Sequence, residues 1–276
     1  MANTINPVAP KPSPNESKVN VSFAIIVIPI LFIISYCIFE FVFGNGSNFA
    51  GNDNKNHPLP NNYFGQIYKG GFIVPILLTM FLMVITFSIE RFLTINKAKG
   101  KGSTVNFVRK VKLSLAANNI DGAIRECDNQ KGSVANIVRA GLTRYKYVLT
   151  SNEMNKDQKL EAIQKEIEEA SALEMPMLER NLVILATLAS IATLFGLLGT
   201  VLGMIRSFAA LAQEGSSGAE ALATGISEAL INTALGIGTS ALSIVMYNVF
   251  TTQIDKLTYS IDEVGYSIVT SFKANN

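Results

Sequence analysis

Hydroxyl side chains recur at helical spacing through two apolar stretches of this 276-residue chain. Between Asn181 and Ala212, Thr193, Thr200 and Ser207 stand seven residues apart, and Gly196, Gly199 and Gly203 fall among them. Between Ala221 and Phe250, Gly236 and Ser240 follow Thr233 at three and seven residues. A helix built on either stretch carries a stripe of small and polar side chains. In lipid, such hydroxyls either bond back to nearby backbone while glycines let helices pack, or they line water. On the second reading Thr200, Thr233, Thr193, Ser207 and Ser240 line a proton path, and Gly196, Gly199, Gly203 and Gly236 bring the helices together. On the first, the stripe is a dry packing face of a membrane scaffold. Threonine relays hydrogen bonds but holds no proton at ordinary pH, so a proton-driven device on this lining needs a carboxylate from another chain.

Arg206 and Glu228 are the charges well inside these stretches, each eleven residues from Ser217 in the polar turn at 213–222. Taking Ser217 as the centre of an antiparallel hairpin puts the two at one depth. It also puts Thr200 and Thr233 at one common level. A lone charge in hydrocarbon is costly, so Arg206 and Glu228 are expected to pair, within the hairpin or between neighbouring subunits. The alternative is that each reaches up to the outer interface.

The elements that must position these residues are membrane helices. Hydrophobic residues make up 49% of the chain and charged residues 16%, against roughly 25% charged in a soluble domain. The expected fold is an all-α integral membrane protein with four transmembrane helices, whose long helices extend into a cytoplasmic helical region. Residues 1–20 hold four prolines and no apolar run, which predicts a disordered cytoplasmic tail. Transmembrane helices are expected at 21–43, with Pro29 kinking the run, and at 71–95, 181–212 and 223–250. The Gly, Asn and Pro at 44–70 predict a periplasmic loop. The lysines and arginines after residue 96 put 96–180 on the cytoplasmic side. Within it, Val105, Val108, Val111 and Leu115, and then Ile137, Leu142 and Tyr145, suggest amphipathic helices, with a cap at Asp121. Lys156–Glu179 is expected to run on into the third span with a kink at Pro176. Residues 213–222 form a periplasmic turn, and 251–276 a cytoplasmic C-terminal helix.

Several functions are set aside. The formal net charge of +2 and the absence of a basic stripe argue against nucleic acid. Two cysteines and one histidine do not make a four-ligand metal site, and no cofactor is implied. His57 beside Pro58 reads as a solvated loop residue. The glycines at 196, 199 and 203 sit inside a span rather than after a strand, and no nucleophile–base pair is evident, so an enzyme is not expected.

The segments GLLGTVLGMIRSF at 196–208, GISEALINTALGI at 225–237 and IVMYNVF at 244–250 resemble the MotA/TolQ/ExbB proton-channel family, and its ExbB branch most closely. The family's two channel threonines fall on Thr200 and Thr233, and its glutamate on Glu228. The chain departs from the ExbB pattern at Arg206, at Leu202 and in its additional N-terminal span. The resemblance implies a bacterial inner-membrane homopentamer enclosing an ExbD-like dimer whose aspartate carries the proton, with a TonB-like protein receiving the mechanical output. Within the family, a Tol-type envelope subunit or a motility stator subunit is the nearest alternative.

Overall fold

Apolar runs that must satisfy their backbone without water become helices, and the computed structural model is helical nearly throughout. It describes residues 16–151, 154–214 and 219–275. The expected tail up to residue 15 and the turn centre at Ser217 lie outside the described residues. In chain order the helices are α1 (Glu16–Cys37), α2 (Tyr63–Lys69), α3 (Ile73–Lys99), α4 (Thr104–Ala116), α5 (Ile120–Gln130), α6 (Gly132–Thr150), α7 (Lys156–Glu179), α8 (Leu182–Glu214) and α9 (Ala219–Asn275). Four helices are long and apolar enough to cross a bilayer, and among the described residues there is no strand. The chain divides into two compact units. One comprises residues up to Met83 with Ala192–Ile237, the other Val84–Ile191 with residues from Gly238 on.

In the first unit α1 lies against α3. Ser35 is fully buried and donates its hydroxyl proton to the carbonyl of Pro75 at 2.6 Å. Pro29 lies inside α1. Past Cys37 the helix widens into a π turn, Ile38–Phe43, and stops at Gly44. A Cβ on Gly44 would meet the Tyr68 ring at 2.5 Å.

The stretch at 44–70 is more ordered than a loop reading implies, because its asparagines act as caps. Asn48 donates to the carbonyls of Val42 and Phe43 at 2.8 and 3.0 Å, which supplies partners for carbonyls the π turn leaves open. Asn62 caps α2 through the Gly65 amide at 3.1 Å. Aromatic rings close the stretch: Tyr68 stacks on Phe39 at 4.7 Å and meets Phe49 edge-on at 5.6 Å.

The second unit is a helical bundle whose core combines α4, α5, α6 and the distal half of α9. Phe107, Val108, Val111 and Leu115 of α4 are buried, as are Ile254, Leu257, Ile261, Val264, Ile268 and Phe272 of α9. Tyr145 of α6 meets Phe272 edge-on at 5.0 Å. Val105, counted on the buried face from spacing, is exposed in the first turn of α4. The cap expected at Asp121 is Asn119, whose side chain accepts from the Gly122 amide at 2.8 Å. Asp121 instead pairs with Lys146 at 2.6 Å. Asn155 and Gln158 form a reciprocal capping box at the start of α7.

Pro176 lies inside α7, and the interruption before α8 falls later, at Arg180 and Asn181. Arg91 supplies the reason. Its side chain is 3% exposed and donates to the carbonyl of Leu178 at 3.0 Å, capping the end of α7. The Glu90 carboxylate balances that charge and accepts from Asn181 at 3.0 Å.

Candidate functional site

Within the first unit α8 and α9 pack through the glycines. A Cβ on Gly236 would lie 2.8 Å from the Gly196 Cα, one on Gly199 would lie 2.5 Å from the Asn232 Cβ, and one on Gly203 3.0 Å from the Ala229 Cβ. Side chains at these positions would push the backbones apart. Ser207 is buried at the same interface and donates to its own helix at the Gly203 carbonyl, 2.9 Å away.

These contacts set the register, and it differs from the one counted from Ser217. Thr233 faces Gly196, to whose carbonyl its hydroxyl donates at 3.3 Å. Thr200 lies four residues further along α8, roughly one helical turn away. It donates to the Leu197 carbonyl at 2.6 Å. With Gly199 against Asn232, however, Thr233 comes level with Leu198, so the two threonines stand about two residues, roughly 3 Å, apart along the axis. Both are half-buried, as is Thr193. In the second unit Ser240 is buried and its hydroxyl donates to the Ala189 carbonyl.

The offset applies to the charges too. By the same contacts Glu228 comes level with Gly203, and Arg206 lies two to three residues, about 4 Å, beyond it. Among the described residues no ion pair joins them. Arg206 instead lies over the Phe72 ring, 5.5 Å from its centroid. Its Nη1 lies 3.3 Å from where a Cβ on Gly71 would be, and Gly71 itself has φ +74°, a conformation glycine adopts without strain.

Spacing arguments passed over Asn232. It is 2% exposed and its amide donates to the Gly70 carbonyl at 2.9 Å, joining α9 to the turn before α3. Its place four residues after Glu228 and directly before Thr233 was the available signal: an amide in an apolar span needs a partner.

A model of the MotA/TolQ/ExbB proton channel family matches residues 129–263. The chain is 35% identical to the biopolymer transport protein ExbB of Salmonella typhimurium over 85 residues, 31% of this chain and 35% of that protein. It is 32% identical to the Tol-Pal system protein TolQ of Pseudomonas aeruginosa over 124 residues, 45% of this chain and 54% of that protein. Over these segments the chain is similar to members of the MotA/TolQ/ExbB proton channel family. ExbB of Pseudomonas putida is 32% identical over 126 residues, 45% of this chain and 38% of that protein. The matched segments thus span between about a third and a half of these relatives' length. With four helices fit to cross a bilayer and relatives from a membrane channel family, the chain is a multi-pass membrane protein.

Proposed function

We propose that this chain is a proton-channel subunit of an ExbB–ExbD type complex that uses the proton-motive force to energise TonB-dependent transport across the outer membrane. In this reading it lies in the bacterial inner membrane as a homopentamer around an ExbD-like dimer, and a TonB-like protein receives the work. The observation that carries the reading is the glycine-packed hairpin of α8 and α9, which leaves Thr193, Thr200 and Thr233 partly open while its own charges, Arg206 and Glu228, stand nearer one end. A wall of hydroxyls orders water, and the titrating aspartate comes from the partner. Ser207 and Ser240 extend the stripes of α8 and α9; each is buried and donates to a backbone carbonyl, which leaves its oxygen free only to accept.

A second reading is a Tol-type envelope subunit, supported by a TolQ match that covers as much of this chain, 45%, as the ExbB match of Pseudomonas putida. Reconstitution in liposomes with the aspartate-bearing partner tests the channel, with flux expected and Thr200→Ala and Thr233→Ala each lowering it by about tenfold or more, on the order of one or two lost hydrogen bonds. Absence of flux, with no effect of either substitution, identifies a non-conducting scaffold, and flux indifferent to both substitutions removes Thr200 and Thr233 from the path. Complementation of strains lacking either transport system then separates the ExbB from the Tol role.

A further inference from the structure

Gly70, Phe72, Gly199, Leu202, Gly203, Arg206, Glu228 and Asn232 enclose a cavity of about 10 Å³, the size of a single water. Asn232 lines it almost wholly buried, and while its amide nitrogen donates to Gly70, its Oδ1 meets no donor from the protein. A buried amide oxygen without a partner is costly. Arg206, whose guanidinium lies over Phe72, and Glu228 line the same small space, and no direct pair joins them. One molecule meets all three needs. A water donates one O–H to Asn232 Oδ1 and the other to the Glu228 carboxylate, and its oxygen accepts from the Arg206 guanidinium. A bare cation suits the site poorly, because the guanidinium repels it.

We propose that Asn232 builds a one-water site here and that Arg206 and Glu228 are joined through this water rather than by direct contact. Asn232 is then a positioning residue: it holds the turn at Gly70 with one end of its amide and the bridging water with the other. The site is defined by geometry alone, so a silent flux assay would count against the channel reading and leave this one standing.

The test is a structure of the full chain in lipid nanodiscs at a resolution that shows ordered water. Density within hydrogen-bond reach of Asn232 Oδ1 is expected. A dry Oδ1, or a direct Arg206–Glu228 contact in place of the density, overturns the proposal. Because Asn232→Leu would also break the bond to Gly70 and threaten folding, the second measurement uses Asn232→Ser, whose hydroxyl still donates. Asn232→Ser and Glu228→Gln are combined in a double-mutant cycle on the melting temperature of the assembled protein. A shared water makes the double variant's shift differ from the summed single shifts; strict additivity removes the bridge.

Discussion

Cys127 shows how far a single side chain follows its surroundings. It is 2% exposed in α5. Burial, reinforced by the neighbouring Asp128 charge, pushes its thiol up from 9.0 to about 12. The folded state therefore keeps a proton that the unfolded chain releases, so stability is full below the ordinary thiol value and declines as pH rises toward the folded one. The slope approaches about 1.4 kcal/mol per pH unit in that window. Across alkaline pH, where lysine side chains also titrate, denaturation should show a steeper decline for the wild type than for Cys127→Ala. At neutral pH the folded chain should also leave Cys127 unlabelled by maleimide until denaturant is added. Hydroxyl spacing singles out Thr200 and Thr233 as candidates, but the same method passes over Asn232, because one amide creates no period.

At the scale of the element, the hairpin depends on where backbones touch. Gly236→Leu should wedge α8 from α9, since even a Cβ there would lie 2.6 Å from the Ala192 carbonyl. The folded, membrane-inserted protein should then fall sharply in yield and melting temperature. Gly238→Ala is the control: no heavy atom lies within 4 Å of its added carbon, so the stability of a single chain should be unchanged or rise slightly. A different dependence governs the junction of α7 and α8, where Arg91 is buried against Glu90 and the end of α7. Arg91→Met should cost about 3–5 kcal/mol, since it leaves a part-buried carboxylate and an open carbonyl. Adding Glu90→Gln should restore much of the loss in thermal denaturation. The N-terminal capping of α5 by Asn119 rather than Asp121 was a near miss. Both residue types cap well, and only the observed bond to Gly122 separates them.

For the molecule as a whole, α8 leaves Leu194, Leu198, Val201, Ile205 and Phe208 exposed. Such a surface needs lipid or further protein around it. On the proposed reading part of it is covered by identical subunits. Native mass spectrometry of the detergent-solubilised chain should then show a discrete assembly, expected to be a pentamer. A monomer that persists at high concentration with its partner present would sink the enclosed-channel reading.

What the sequence by itself determined was the set of helices fit to span a membrane and the faces they offer. Lipid leaves a long apolar segment little choice but a helix, and a period of 3.6 then sorts side chains by direction. Apolar spacing likewise picked out buried positions in α4 and α6, whereas the one cap read from sequence, Asp121, lies two residues from the observed cap at Asn119. Position along the helix axis was decided only by the tertiary structure. Counting from Ser217 put Thr200 level with Thr233 and Arg206 level with Glu228, whereas the contacts of Gly196, Gly199 and Gly203 offset each pair by part of a turn, about two residues for the threonines and up to three for the charges. Periodicity carries no information on sliding. Register is settled where two backbones find room to meet, which requires both helices at once. In the register observed, Arg206 and Glu228 both line the small cavity beside Asn232.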